Sequence, residues 1–566
     1  MDGIALLNVE GSGMIGVPGI AHRLFGALKS ANVSVMFIAQ ASSEHSICFA
    51  IKEIFCNIAK KAVEEAFFYE LKNRLISCVT VINSCSIIAA VGESMGSMPG
   101  VAGIFFGALG AAGINVLSIS QGCDERNISA VVYAKDSAKA LRAAHSAFWL
   151  SSQNISVGII GTGRVGHAVV QTLTEQIRVL EERFGLTVSI RGVANSTTMV
   201  LDDENLIDKF QSRMKARAEL LARGDDNSDV TATNGRAARL PSPSISEESF
   251  NALEGVLKGE GNSVKRTPTD LEAFTNHIKN GPTPHFILID CTNSQLVADQ
   301  HPAWLRKGSH IVTANKRGLS NSLDLYNNIF AAVRAQNRMY MSEVTIGASI
   351  PVMTTLSDLL CSGDQVSSIV GLVSASVGQI LTDICDNPPI SFTQSVSRTF
   401  AQGLFEEDVF RDLEGTEAAQ KLLILARELG VPMNLSDVIV EPIAKRRELE
   451  SWDAIGSGFL EEDAIYARKA AAAAAKGCTL RYVQRIVCTP GAALGRKKKI
   501  HATASVKLEE VPLNSALAMV KGAVYHFEFH TARYNRNPLI VQVNMLACCT
   551  SVNFFVFICL ILGATI

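Results

Sequence analysis

The sequence predicts an α/β protein of several domains: a tandem pair of small α+β modules, a doubly wound parallel-sheet domain, and a mixed α+β domain. Three observations carry this. The first 150 residues repeat themselves at a fixed period, the chain after Ser151 follows an order of apolar strand, Gly-rich turn and long helix, and helices mixed with short strands take over from about Leu325. The 566 residues also exceed the ~250 to 300 at which a single core stops growing.

The repeat has a period of 81, pairing Gly16-Val17-Pro18-Gly19 with Ser97-Met98-Pro99-Gly100, Phe25-Gly26-Ala27-Leu28 with the identical Phe106 to Leu109, and Gln40 with Gln121. Each unit (about 5–80 and 84–150) has the same order: a Gly/Pro turn, an amphipathic helix (Ala21 to Ser30, Val101 to Ala112), then a β-branched strand (Val33 to Ile38, Ile114 to Ile119) ending in a polar turn. This pair in residues 1–150 resembles tandem ACT domains.

Residues 151–324 form the expected doubly wound domain. Val157 to Gly166 places a GxGxxG pattern directly after an apolar strand and ahead of the helix His167 to Glu182, with a returning strand at Thr187 to Val193. In a Rossmann-type domain, Gly161 permits the tight turn, Gly163 lets backbone N–H groups reach a pyrophosphate and Gly166 allows close helix packing. Thr162, Arg164 and Val165 complete the loop. The second strand ends in Ala194-Asn195-Ser196. With no carboxylate there to repel a 2′-phosphate and Arg164 free to meet one, NADP is favoured over NAD; Arg164 reads equally well as an exposed loop arginine. A disordered insertion is expected over about 214–272, rich in Asp, Asn, Ser, Gly and Pro. The α/β pattern then resumes with Phe286 to Asp290, a helix through Trp304 and the strand His310 to Thr313.

Residues 325–542 are expected to form the α+β domain, in which the alanine run Ala470 to Ala475 lies in a polar-flanked helix without chemistry. Beyond it, residues 543–566 form an atypical tail. Leu546 to Ile566 carries no charge and reaches the about 20 residues a membrane span needs, yet lacks positive flanks, so an altered C-terminus is expected and not an anchor. A formal net charge of −2 speaks against nucleic-acid binding, and the basic run Arg496 to Lys499 reads as a solvated hairpin turn. The 13 cysteines lack CxxC spacing, which suggests neither a zinc site nor a secreted disulfide scaffold and fits a reducing compartment.

Ser156 to Gly166, Asp290-Cys291-Thr292-Asn293, Val312-Thr313-Ala314-Asn315-Lys316 and Glu343 to Ala348 stand in the order and spacing of homoserine dehydrogenases, which the chain resembles. With the ACT pair upstream, the resemblance extends to the regulatory and dehydrogenase portions of bifunctional aspartokinase–homoserine dehydrogenases, from about residue 5 to about 542. It implies NADPH-dependent reduction of L-aspartate 4-semialdehyde to L-homoserine on the route to threonine, methionine and isoleucine. It also implies a homodimer, and cytoplasm or plastid stroma as the location, since Met1 to Glu10 shows no targeting signal. No kinase-like site precedes the ACT pair, so aspartokinase activity is not expected.

By the same resemblance, Lys316 lies beside nicotinamide and substrate, Thr292 and Ala314 flank the cofactor, Glu406 and Asp412 bind the substrate, and Glu417 and Lys421 complete the catalytic set. Glu417 and Lys421 are spaced i, i+4 after Gly415 and share a helix face, a spacing that apart from the resemblance reads first as a surface ion pair. Glu343, Ile346, Ala348 and Ile350 would hold a monovalent cation such as Na+, chiefly through main-chain oxygens. Gln40 and Gln121 would bind an amino-acid effector such as threonine, or simply cap strand ends. Three departures stand out: Glu417 replaces the family's usual Asp, Ser374-Ala375-Ser376-Val377 replaces a Ser-Gly-Thr-Leu run, and Glu407 to Arg411 replaces a Pro-rich acidic loop. The alternative function is therefore a threonine-binding regulatory ACT protein with an impaired dehydrogenase domain.

Overall fold

The computed structural model describes residues 1–40, 44–92, 95, 100–122, 126–148, 153–203, 205–206, 265–280, 283, 285–347, 350–406, 408–445, 459–490 and 500–544. It divides into two compact units: Met1–Ser156 with Glu181–Val188 and Asn280–His285, and the remainder. The run Arg496 to Lys499, the tail beyond 544, Ala348 and most of the expected insertion lie outside the described residues.

In the first unit, elements return 81 residues on. Helix Ile20–Ser30 recurs as Val101–Ala111, strand β3 (Ser46–Lys52) as β6 (Asn127–Tyr133), and helix Cys56–Ala66 as Ser137–Ala147. Strand β1 (Ile4–Glu10) finds its counterpart in the far half of β4 (Cys78–Val91), whose near half pairs with β1 and whose far half pairs with β6. With β2 (Val35–Gln40) and β5 (Ser118–Gln121) at the two edges, one six-stranded sheet results, ordered β2-β3-β1-β4-β6-β5. The edge strands start later than the apolar runs suggest, because Val33 is spent closing the preceding helix, its N–H bonding Leu28 O. Leu24 and Leu28 on one helix, and Phe105 and Leu109 on its copy, are buried at i, i+4 spacing, one apolar face per repeat.

Two further sheets lie mainly in the second unit. The first is ordered β10-β9-β8-β7-β11-β12-β13, from β7 (Gln153–Ile160), β8 (Leu186–Ala194), β9 (Thr198–Leu201), β10 (Lys265–Pro268), β11 (His285–Asp290), β12 (His310–Thr313) and β13 (Tyr340–Met341). Helix Arg164–Phe184 connects β7 to β8 on one side, while β11 lies on the other side of β7, so the switch point falls at the carboxyl ends of β7 and β11. Strands β9 and β10 extend the sheet antiparallel.

Three expectations need correction. Residues 265–268 form β10 and Leu271 opens a helix, so the expected insertion ends before 265 and not at 272. The helix through Trp304 is two short ones, Gln295–Ala298 and His301–Arg306, separated where Pro302 enters the first turn of the second. The doubly wound fold runs past 324, because Ile329 and Ala332 of helix Leu323–Gln336 join its core and β13 pairs parallel to β12.

The other sheet is ordered β15-β17-β16-β14-β18-β19, from β14 (Val366–Leu372), β15 (Val438–Val440), β16 (Cys478–Pro490), β17 (Ile500–Pro512), β18 (Val524–Thr531) and β19 (Leu539–Asn544). Helices Ala375–Cys385 and Thr416–Glu428 pack on it, contributing Val377, Ile380, Leu422 and Leu425 to a core that includes Ile369, Tyr482, Phe527 and Phe529. The alanine run lies in helix Leu460–Ala475, as expected. No helix among the described residues is long and apolar enough to cross a membrane.

Helix Leu271–Lys279 sits close on the first sheet because Gly158 and Gly192 leave no side chain beneath it: a Cβ at Gly158 would come within 2.8 Å of Phe274, 2.9 Å of Ile278 and 3.0 Å of Leu288. Gly158→Ala is therefore expected to destabilise the protein by about 1–3 kcal/mol through overpacking, read as a lower urea midpoint at unchanged slope; an unchanged midpoint would refute this packing.

Candidate active site

The switch-point crevice is built by glycines of different kinds. Gly161 has φ +98°, and a Cβ on it would strike the Cys291 carbonyl at 2.8–2.9 Å; a Cβ on Gly166 would meet Gly161 O at 1.9 Å. Both are required by the close approach of turn, helix and β11. Gly163, by contrast, faces open space, leaving the first turn of helix Arg164–Phe184 accessible to a phosphate. Thr162 and Val165 are partly buried in this loop, and Arg164 is exposed, its guanidinium 3.5 Å from Gly403 O. At the end of β8 the Asn195 side-chain oxygen is committed to its own turn, accepting from the N–H groups of Thr197 and Thr198 and from both hydroxyls, whereas Ser196 is exposed. Thr292 and Ala314 sit at the ends of β11 and β12, and the N–H of Ala314 bonds Asp290 O.

Beside this crevice the structure gathers the residues singled out in the sequence. Lys316 starts the short helix Arg317–Ser320 after β12, and Lys421 and Glu417 project from helix Thr416–Glu428. Lys316 Nζ bonds Glu406 Oε2 and, at 2.5 Å, Glu417 Oε2, while Lys421 Nζ lies 2.6 Å from Glu406 Oε1. One carboxylate thus holds both ammoniums. Lys421 also donates to Val373 O (3.0 Å) and to the Tyr525 hydroxyl (2.9 Å). Asp412 accepts from the Ser376 hydroxyl (3.0 Å) and from the Glu406 N–H (3.3 Å). Lys316, Asp412, Glu417 and Lys421 are buried; Glu406 keeps an edge to solvent, its side chain 32% exposed.

The i, i+4 spacing therefore misleads in one respect. Glu417 and Lys421 share a helix face, but Lys421 takes Glu406 as its carboxylate, and Glu417 binds Lys316 and, through Oε1 at 2.6 Å, Arg411. Burial at 2% and 4% also excludes a surface pair. The departures acquire local roles. Ser374 caps helix Ala375–Cys385 by accepting from the Val377 N–H, Ser376 holds Asp412, Asp408 caps helix Val409–Leu413, and Arg411 supplies the second cation on Glu417. Arg411 and Tyr525 escaped the sequence reading: both act across gaps that no local period marks.

The electrostatics follow from burial set against paired charge. Burial alone would raise the Glu406 carboxyl, but the Lys421 and Lys316 ammoniums outweigh it and hold it far below the usual range. Burial opposes charge on both lysines, and Glu406 overcomes it, raising both. For Asp412, burial and then the neighbouring Glu406 carboxylate outweigh the pull of the Lys421 ammonium and push it up to about 7.

The residues expected to hold a cation are only partly placed for it. The Glu343 carboxylate caps helix Val352–Cys361, accepting from the Met353 and Thr354 N–H groups (2.7 and 2.9 Å) and the Thr354 hydroxyl. Ile346 and Ile350 are buried, so main-chain oxygens remain as donors. Gln40 and Gln121 are both exposed, at the ends of the two edge strands of the first sheet.

Two outcomes are expected. Glu417→Gln, which leaves Lys316 and Arg411 short of a buried charge, should destabilise the fold by about 3–5 kcal/mol in urea unfolding; a loss within error would place those cations in solvent. Asp412 favours the fold when protonated, so its contribution is present below pH 3.8 and lost as pH rises through about 7. Asp412→Asn should accordingly flatten stability across that window, and an unchanged pH dependence would count against the shift.

The comparisons with known proteins follow the same division. The ACT domain family matches residues 7–67 and 88–148, again 81 apart. The homoserine dehydrogenase NAD-binding domain matches 161–343, and the homoserine dehydrogenase family matches 351–545. Bifunctional aspartokinase/homoserine dehydrogenase 2, chloroplastic, of Zea mays is 34% identical over 546 residues, covering 96% of this chain and 53% of the relative. The chain thus spans about half the length of the curated relatives it matches over nearly all of its own. The homoserine dehydrogenase of Emericella nidulans is 33% identical over 266 residues, 45% of this chain and 69% of that protein. A Candida auris crystal structure of unknown function shares the fold over 73% of this chain and 99% of its own, with TM-score 0.55 and 22% identity. The chain belongs to the homoserine dehydrogenase family, with an ACT pair ahead of its NAD-binding domain.

Proposed function

We propose that this chain reduces L-aspartate 4-semialdehyde to L-homoserine with NADPH. The observation that carries the reading is the Glu406 carboxylate shared by Lys316 and Lys421 beside a glycine-lined crevice. The bound nicotinamide would supply a hydride to the aldehyde carbon, and the oxygen would take a proton. The open face of Gly163 at the helix N-terminus suits a pyrophosphate, and the absence of a carboxylate at Asn195-Ser196 with Arg164 exposed in the glycine loop favours NADP over NAD.

Lys421 is the proton donor in this reading, and Lys316 supports the developing negative charge. Glu406, the member of the set with a solvent-facing edge, binds the substrate's ammonium with Asp412. An ammonium that draws Glu406 away from Lys421 removes the charge that raises it, and burial then makes Lys421 the stronger acid. Substrate binding and proton release are thereby linked through one carboxylate. Glu417, held by Lys316 and Arg411, fixes Lys316 from the other side.

A monovalent cation such as Na+ fits main-chain oxygens of Glu343, Ile346 and Ile350 better than a metal needing side-chain donors, since the Glu343 carboxylate is engaged. The ACT pair would bind an amino-acid effector, threonine for choice, near Gln40 and Gln121, and the chain would act as a homodimer.

Purified protein is expected to oxidise homoserine with NADP+, to respond to threonine, and to lose about 10²- to 10⁴-fold in kcat on Lys421→Met or Lys316→Met. An inert wild-type protein that still binds threonine would favour the regulatory alternative, and lysine variants with undiminished kcat would remove the assigned roles.

A further inference from the structure

A buried polar group behind the crevice takes no part in the chemistry above. Asp290 ends β11 and is 0% exposed. Its Oδ1 accepts from the Thr292 N–H (2.9 Å) and hydroxyl (2.7 Å); its Oδ2 accepts from Asn315 Nδ2 (2.9 Å) and lies 3.0 Å from His301 Nε2. The other ring nitrogen of His301, also 0% exposed, lies 3.0 Å from the Tyr340 hydroxyl on β13. With Nε2 donating to the carboxylate, Nδ1 is left to accept from that hydroxyl. Burial keeps the Tyr340 hydroxyl protonated, as a donor requires. Trp304 and Phe330 enclose the two rings, at 5.6 Å from His301 and 6.0 Å from Tyr340.

We infer that Asp290, His301 and Tyr340 form a positioning chain that fixes Lys316 and the Thr292 loop at the two edges of the crevice. Two independent contacts support this. Asn315, which follows β12 and precedes Lys316, donates to Asp290 Oδ2 at the end of β11 and to Ser294 O (2.9 Å) in the loop after it, so one carboxamide and one carboxylate tie the ends of β11 and β12 together. The helix that Lys316 opens rests on the same chain, because a Cβ at Gly318 would come within 2.8 Å of the Tyr340 hydroxyl and 3.3 Å of His301 Nδ1. The segment carrying the ammonium is thus held in front through Asn315 and behind through Gly318. A hydrophobic core alone would allow it to slide; hydrogen bonds that must all be met leave one arrangement. These three are positioning residues, since among the described residues their side-chain bonds run to Thr292, Asn315 and one another and not to the Glu406 cluster.

The inference rests on the dehydrogenase reading, and its test separates the two. His301→Leu is expected to lower kcat at saturating substrates by about 10- to 100-fold, the scale of a small misplacement at a reacting centre. His301→Gln, which restores a donor to Asp290, should recover kcat to within about threefold of wild type, and Tyr340→Phe, which keeps the ring and loses the hydroxyl, should fall between them. Thermal melts would confirm that each variant is folded at the assay temperature. A purely packing role would lower the melting temperature and leave the kcat of folded protein unchanged in all three, which would overturn the inference. Should wild-type protein not turn over, the dehydrogenase reading fails. The positioning chain is then read from NADPH titrated by fluorescence: His301→Leu should weaken Kd about tenfold through the Thr292 loop, with His301→Gln unchanged. Equal Kd values for both would overturn it.

Discussion

The candidate active site depends on a charge arrangement that would be unfavourable if any member were missing: two buried ammoniums, Lys316 and Lys421, that share the carboxylate of Glu406. Either lysine alone in this setting would be driven towards neutrality by burial, and the carboxylate alone would be driven to protonate. Together they hold one another charged. Glu417 and Arg411 extend the set on the Lys316 side, and Val373 O and Tyr525 complete the hydrogen bonding of Lys421.

That cluster can form only because two sheets deliver its members to one place. The turn from β12 brings Lys316; a helix packed on the second sheet brings Glu417 and Lys421; β18 brings Tyr525. Each delivery is fixed locally. Close-approach glycines seat the first helix and β11 against the glycine turn, Asp290 ties the strand ends, and the cap from Glu343 anchors helix Val352–Cys361. The glycine turn and Lys316 therefore stand at strand ends, where an open α/β sheet exposes its backbone groups, and a helix and loop of the second sheet supply the rest of the charge cluster.

Much of this is written in local sequence. The 81-residue repeat was legible because each copy keeps the same apolar face, Leu24 and Leu28 against Phe105 and Leu109. The glycine turn is legible because GxGxxG stands between strand and helix, and Lys316, Glu406, Asp412, Glu417 and Lys421 come together in the structure. What stays hidden is contact that no local period marks. Arg411 pairs with Glu417 across a helix break, Tyr525 reaches Lys421 across more than a hundred residues, and His301 reads as an ordinary helix residue until β13 brings Tyr340 beside it. The Glu417–Lys421 spacing gave the right face and the wrong partner, because periodicity reports direction and tertiary packing chooses the contact. Residues 265–272 depart from the expected insertion for a similar reason: a short edge strand of Lys-Arg-Thr-Pro has polar composition and gains its order from pairing with β9.

The shared carboxylate is tested most directly by a double-mutant cycle between Glu406 and Lys421 in urea unfolding, using Glu406→Gln, Lys421→Met and the combination. The account expects a coupling of about 1 kcal/mol or more, the double variant being less destabilised than the two single losses summed. Additivity within about 0.5 kcal/mol would mean that the two groups do not sustain one another, and the reading of this site as a coupled charge cluster would fail.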